Sequence, residues 1–260
     1  MSISTYRWRA PTAVLAGLLT VGLAACGSGA TGAQSATSAP ATPGPTTTAS
    51  PTATPSIGVA NWPCLKGAGA RVRTVAEPTA LRVVLLGRSA HVVVLSEESD
   101  EDLCSWLPLA RTLERDGFAI AMYDYATDPV HDLSAVVRSE RAHGARTVAV
   151  LGASEGAKTS VIAASKLRPQ PNSVVSLSAE SALQGTDVAP YAKRVSAPTL
   201  YVTASDDPYG SDESTPGYYK SSPAKTKQLL TVPGTAHGTA LLSNGRVHRT
   251  VTDFLVAHGK

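Results

Sequence analysis

The chain has 260 residues, 43% of them hydrophobic, with a formal net charge of +3. No basic patch interleaved with aromatics occurs, so a nucleic-acid partner is not expected. Three cysteines, with no C-x-x-C, no H-E-x-x-H and no tight histidine cluster, argue against a metal site.

Residues 1–26 have the layout of a processing segment. Arg7 and Arg9 supply the positive start, and Ala13 to Leu23 form an apolar run shorter than the ~20 residues a membrane-spanning helix needs. Leu23-Ala24-Ala25-Cys26 then resembles a bacterial lipobox. That resemblance implies a lipoprotein signal peptide, with lipid on Cys26 and the mature protein anchored to the outer face of the bacterial cell membrane. A plain secretory signal with an incidental cysteine is the alternative. Residues 27–56 are almost entirely Gly, Ala, Ser, Thr and Pro. Such a stretch has too little apolar surface to offset its ordering entropy and reads as a disordered tether. Residues 57–260 remain, enough for one domain with a substantial core. With Cys26 assigned to lipid, Cys64 and Cys104 are left as an even pair in an oxidising compartment, and a disulfide between them is expected.

Strands are predicted at Arg71–Val75, Leu81–Leu86, His91–Ser96, Phe118–Tyr123, Thr147–Leu151, Ser173–Leu177, Thr199–Thr203 and Gln228–Val232. Helix-compatible segments lie at Leu103–Asp116, Pro129–His143, Glu155–Leu167, Val188–Val195 and Arg246–Ala257. The first two strands should form an antiparallel edge. From His91 onward the βαβ alternation predicts a mostly parallel, doubly wound eight-stranded sheet flanked by helices. The continuously apolar Val92–Leu95 and Val148–Leu151 fit strands buried on both faces. Leu103, Trp106, Leu107, Ala110 and Leu113 should form one buried helical stripe. About 20 residues separate the strand at Ser173–Leu177 from that at Thr199, too few for a large lid. Pro208–Tyr219 reads as a polar, glycine-containing surface loop whose tyrosines either contact substrate or pack on a neighbouring helix.

Gly152-Ala153-Ser154-Glu155-Gly156 is a G-x-S-x-G pattern between an apolar run and a helix-compatible segment, the context of a nucleophile elbow. Side chains at the two glycines would collide with the neighbouring strand and helix. A serine nucleophile needs a base, and the base an orienting carboxylate. Asp206-Asp207 follows one apolar run, and His237 lies in the loop Pro233–Gly238 after another. In a parallel sheet such strand ends share one edge, where residues distant in sequence converge. His91, His131, His143, His248 and His258 lack that setting and read as packing or surface residues.

The elbow, the segment Ala197–Val202 leading to Asp207-Pro208, and the histidine loop, in that order, resemble the α/β-hydrolase family over roughly residues 70–258. The resemblance implies Ser154 as nucleophile, His237 as general base and then acid, and an aspartate as orienter. Asp207 directly precedes Pro208, as the family's acid commonly precedes such a residue; Asp206 is the alternative. Oxyanion donors are expected at the backbone N–H of Glu155 and of Glu98, or its neighbour Ser99. The chain departs from the family where many members carry His-Gly. Ser96–Asp102 has no glycine and holds five acids, which either oppose oxyanion formation or are solvated at the start of the following helix. The expected activity is that of a carboxylesterase-like serine hydrolase working through an acyl-enzyme, monomeric, acting on a small ester or acyl substrate without metal or organic cofactor. A small-peptide serine peptidase and a low-activity binding lipoprotein that keeps the fold are the alternatives.

Overall fold

The computed structural model describes residues 62–76, 80–99, 101–126 and 128–260. The leader, Cys26 and the tether lie outside the described residues.

Short 3-10 turns at Pro63–Leu65 and Leu103–Trp106 flank the opening strands β1 (Arg71–Val75), β2 (Leu81–Leu86) and β3 (His91–Ser96). There follow α1 (Leu107–Arg115), β4 (Ala119–Tyr123), α2 (Pro129–Ala142), β5 (Thr147–Ala153), α3 (Glu155–Lys166) and β6 (Val174–Leu177). A small hairpin, β7 (Ala182–Leu183) with β8 (Thr186–Asp187), and the single turn α4 (Ala189–Ala192) lead into β9 (Thr199–Ala204). The chain finishes with α5 (Ser211–Ser221), β10 (Lys227–Val232), a 3-10 helix at Gly238–Ser243 and α6 (Gly245–His258).

Eight strands form one sheet in the order β1-β2-β4-β3-β5-β6-β9-β10. β2 runs antiparallel to both β1 and β4, and every pairing from β4 to β10 is parallel. The expected architecture, including its antiparallel edge, is therefore the observed one. Alternating side chains divide the core into two layers. Val93, Leu95, Ile120, Met122, Leu151 and Val202 face α1 and α6, while Val92, Val94, Val148, Val150, Val174 and Tyr201 face the α2–α3 side. Burial on both faces explains the continuously apolar strands.

Three expectations need correction. Val188–Val195 is helical only over the turn Ala189–Ala192. Leu107 is only half-buried and Leu109 takes its place in the core, alongside Leu103, Trp106, Ala110 and Leu113. The 3-10 start advances three residues per turn, so the buried stripe changes phase when the α-helix begins. Pro208–Tyr219 is not a loop, because Ser211–Ser221 is helical. Pro216 and Gly217 conceal the helix from propensity. Tertiary packing forms it: Ser211, Thr215 and Tyr218 are buried along one face, and Asp212 and Glu213 place negative charge in the first turn.

The disulfide joins Cys64 to Cys104, whose Cα atoms are 5.9 Å apart. It ties the N-terminal 3-10 turn to the segment entering α1. Around it Trp62 and Leu65 pack into the layer that contains Trp106.

Candidate active site

The parallel register decides where the site can form. Ser96 pairs with Gly152, Ala153 with Leu177, Leu177 with Val202 and Val232 with Ala204. The carboxyl ends of β3, β5, β6, β9 and β10 therefore open onto one edge of the sheet, and the loops beyond them meet there.

Ser154 sits between β5 and α3 with φ 49° and ψ −112°, outside the regions open to an unstrained L-residue. Its N–H donates to the Leu177 carbonyl at 2.9 Å, fastening the turn to the neighbouring strand. The two glycines are sterically required. A Cβ on Gly152 would lie 2.0 Å from the Gly156 carbonyl oxygen, and one on Gly156 would lie 2.1 Å from that of Ser96. Strand, turn and helix thus approach too closely for any side chain. The hydroxyl stands at the N-terminus of α3, whose first N–H groups lack intrahelical acceptors. The N–H of Glu155 is among them.

His237 lies beyond β10. Its Nδ1 is 2.9 Å from both carboxylate oxygens of Asp207. Asp207 is 6% exposed and also accepts from the Tyr209 N–H at 2.9 Å and the Ser211 hydroxyl at 2.5 Å. Burial alone would raise its carboxyl, but the donors from Ser211, Tyr209 and His237 together hold it below the ordinary carboxylate value. Asp206 is exposed and accepts from its neighbour Ser205 at 2.7 Å. Of the two aspartates, Asp207 is therefore the histidine's partner. Tyr209, 67% exposed, places its ring 4.4 Å from the imidazole.

Glu180 was not singled out from the sequence. It lies just past the end of β6, and its carboxylate stands between the serine and the histidine. Ser154 Oγ donates to Glu180 Oε1 at 3.0 Å, and His237 Nε2 is 3.5 Å from that same oxygen. Lys158 Nζ, one turn into α3, holds Oε2 at 2.8 Å. The serine proton is thus directed at a carboxylate rather than at the imidazole. Glu180's position beyond a parallel strand on the shared edge was the available clue; no motif marks it.

The acidic stretch divides by residue, with Asp100 outside the described residues. Asp102 caps the 3-10 turn, accepting from the Cys104 N–H at 2.8 Å, as expected of a solvated helix-start acid. Glu97 and Glu98 depart from that expectation. Glu97 is 9% exposed, and burial first, then Asp124, push its carboxyl up to about 8. Glu98 turns towards the histidine loop, where it accepts from the Thr239 N–H at 3.2 Å and from the Thr239 hydroxyl. Gly238, at φ +55°, makes room: a Cβ there would lie 1.6 Å from Glu98 Oε2. The Gly238 N–H in turn donates to Ser178 Oγ at 3.1 Å. Glu98 therefore braces the segment that carries His237. Ser99 donates to the Glu155 carboxylate at 2.6 Å, tying the β3 loop to the start of α3.

These groups line an open cleft of about 610 Å³, bordered by Glu98, Glu101, Ser154, Lys158, Glu180, Tyr209 and His237. Among the described residues, no three His, Cys, Asp or Glu side chains are grouped to hold a metal ion.

No protein-family model matches the chain, and no curated protein sequence does. Solved structures do match. Against a monoacylglycerol lipase from Paleococcus ferrophilus the identity is 16% and the TM-score 0.61, over 68% of this chain and 99% of that one. The esterase Pf2001 of Pyrococcus furiosus is 14% identical with a TM-score of 0.65, over 75% of this chain and 94% of its own. A dienelactone hydrolase from Anabaena variabilis is 16% identical with a TM-score of 0.61, over 74% and 98%. At such identities the likeness establishes the fold, which is that of the α/β-hydrolases.

Proposed function

We propose that the chain is a serine hydrolase of small carboxylic esters, working through an acyl-enzyme with Ser154, His237 and Asp207 as its triad. The carrying observation is the meeting of the strained serine and the Asp207-bound histidine on one sheet edge, where both approach a single oxygen of Glu180. The fold neighbours whose names specify a lipase or an esterase add support. In this reading Ser154 Oγ bonds to the ester carbonyl carbon as its proton passes to His237 Nε2. The ester C–O bond breaks, and the histidine returns that proton to the leaving alkoxide. Water then attacks the acyl group with the histidine again as base, freeing Ser154. Asp207 keeps the imidazole oriented and stabilises its cation. The N–H groups of Glu155 and Glu98 are the proposed oxyanion donors. We further propose export and lipid anchoring at Cys26, tested by mass analysis of the mature N-terminus; an unmodified terminus elsewhere rejects it.

The test of activity is fluorophosphonate labelling of the folded domain. Labelling that maps to Ser154 and disappears in Ser154→Ala is the expected result. A folded protein that stays unlabelled rejects the hydrolase reading. It would favour the second one, a binding protein with little turnover, which Glu180's position beside the nucleophile supports.

A further inference from the structure

The placement of Glu180 is built by several elements at once. Ser178, just past β6, has φ +57°, in the left-handed range uncommon for a residue other than glycine. The carbonyl of Ala179 accepts from the hydroxyls of Ser214 at 2.7 Å and Thr215 at 3.2 Å, and that of Glu180 from the Tyr218 hydroxyl at 2.8 Å. Three α5 side chains therefore pin the backbone that presents the carboxylate. Lys158 fixes its rotation by holding Oε2, so Oε1 is left facing Ser154 and His237. With Glu98 and Glu101 also on the cleft, three carboxylates stand against one lysine.

A neutral acyl group entering here would draw the serine proton away from Oε1 and supply nothing in its place. A largely buried carboxylate oxygen left without a donor is costly, and an ammonium group is a stronger donor than a hydroxyl. The reach is suitable. In an α-amino acyl group the nitrogen lies about 2.5 Å from the carbonyl carbon. A carbonyl carbon held about 3–3.5 Å from Ser154 Oγ for attack lets that nitrogen reach hydrogen-bond range of Oε1, which is 3.0 Å from Oγ, when the Cα–N bond turns towards Glu180.

We propose that Glu180 is the recognition group for a cationic amine adjacent to the scissile carbonyl. The substrates are then esters or small amides of amino acids with a free α-amino group. Binding of the amine transfers Ser154 from Glu180 to His237, so the correct substrate frees the nucleophile. The inference rests on the proposed function, with Ser154 as nucleophile, for the reach and for this last step; the placement of Glu180 Oε1 stands separately.

The experiment compares hydrolysis of L-alanine methyl ester and N-acetyl-L-alanine methyl ester at pH 7, in the parent protein and in Glu180→Gln. The expected result is a kcat/KM at least tenfold higher for the free amine, collapsing towards equality in Glu180→Gln. Equal rates in the parent, or a preference that survives the substitution, overturn the proposal. So does faster turnover of an anionic succinate monoester, which would make Lys158 the recognition group. Binding of L-alaninamide and N-acetyl-L-alaninamide to Ser154→Ala, followed by NMR titration, separates recognition from chemistry. The free amine should bind more tightly, and the difference should vanish when Glu180→Gln is added. A difference that is absent or persists there counts against the site whether or not esters turn over. A protein inert to fluorophosphonate that still binds alaninamide through Glu180 would reject the hydrolase reading and retain the amine site; the converse pair of results would do the reverse.

Discussion

Glu97→Gln should make the domain more stable above pH 8 and leave it nearly unchanged at pH 4. Glu97 is 9% exposed, and among the described residues its Oε2 is buried without a hydrogen-bond partner. Its carboxyl, pushed first by burial and then by Asp124, rises from 4.5 to about 8. Because the folded-state value is the higher one, the folded protein keeps a proton that the unfolded chain releases between those two values. The associated stability is complete below pH 4.5, declines as pH rises and is lost above about 8. At ~1.4 kcal/mol per pKa unit the loss is at most about 5 kcal/mol, and relaxation around the ionised group would bring it to roughly 2–5 kcal/mol. Gln keeps the shape and cannot ionise. Denaturant unfolding at a series of pH values measures the difference directly. Parent and variant should coincide near pH 4 and separate by roughly 2–5 kcal/mol at pH 9, with the variant the more stable. Parallel curves, or a variant less stable at pH 9, would refute the claim that Glu97 is held as a neutral acid. The residue bears on the site as well. A Cβ on Gly156 would lie 2.7 Å from the Glu97 carbonyl oxygen, so its backbone packs directly against the elbow.

Asp207→Asn should lower ester turnover by about 10³–10⁴-fold, since the amide cannot hold the imidazole in the required tautomer. Asp206→Asn should stay within a few-fold of the parent, and the reverse ranking in a steady-state assay would move the acid by one residue. Gly156→Ala forces a methyl against the Ser96 carbonyl and should cost at least about 1–3 kcal/mol while abolishing fluorophosphonate labelling. Thermal unfolding alongside labelling checks both parts, and a labelled, equally stable variant would contradict the packing argument. The Cys64–Cys104 bridge spans a sequence separation of 40 residues, so Cys64→Ser with Cys104→Ser should destabilise the domain by about 2–4 kcal/mol in denaturant unfolding. A thiol assay on the unreduced, denatured domain should find neither cysteine free.

Local pattern determined much of this protein. Val92–Leu95 and Val148–Leu151 are continuously apolar because both faces of a central parallel strand are buried, so strands and layers were legible in the apolar runs and their alternation with helix-compatible segments. Gly152 and Gly156 were legible as an elbow because only glycine fits against the backbone there. The Ser, Asp, His order placed each group beyond a strand end, and a parallel sheet brings such ends together. Other features exist only once the chain is folded. Asp206 and Asp207 are adjacent and chemically identical. The Ser211 hydroxyl and the Tyr209 N–H, with His237 brought over from beyond β10, distinguish them. Helix α5 forms despite Pro216 because Ser211, Thr215 and Tyr218 find a surface to bury against. Glu97 looks in sequence like one more solvated acid, and its raised pKa comes from burial that no local pattern encodes. Glu180 is the fullest case: its oxygen meets Ser154, 26 residues away, and His237, while Lys158 on α3 and hydroxyls on α5 set its orientation. Periodicity records which faces are buried, whereas contacts among side chains from separate elements depend on how those elements are brought together.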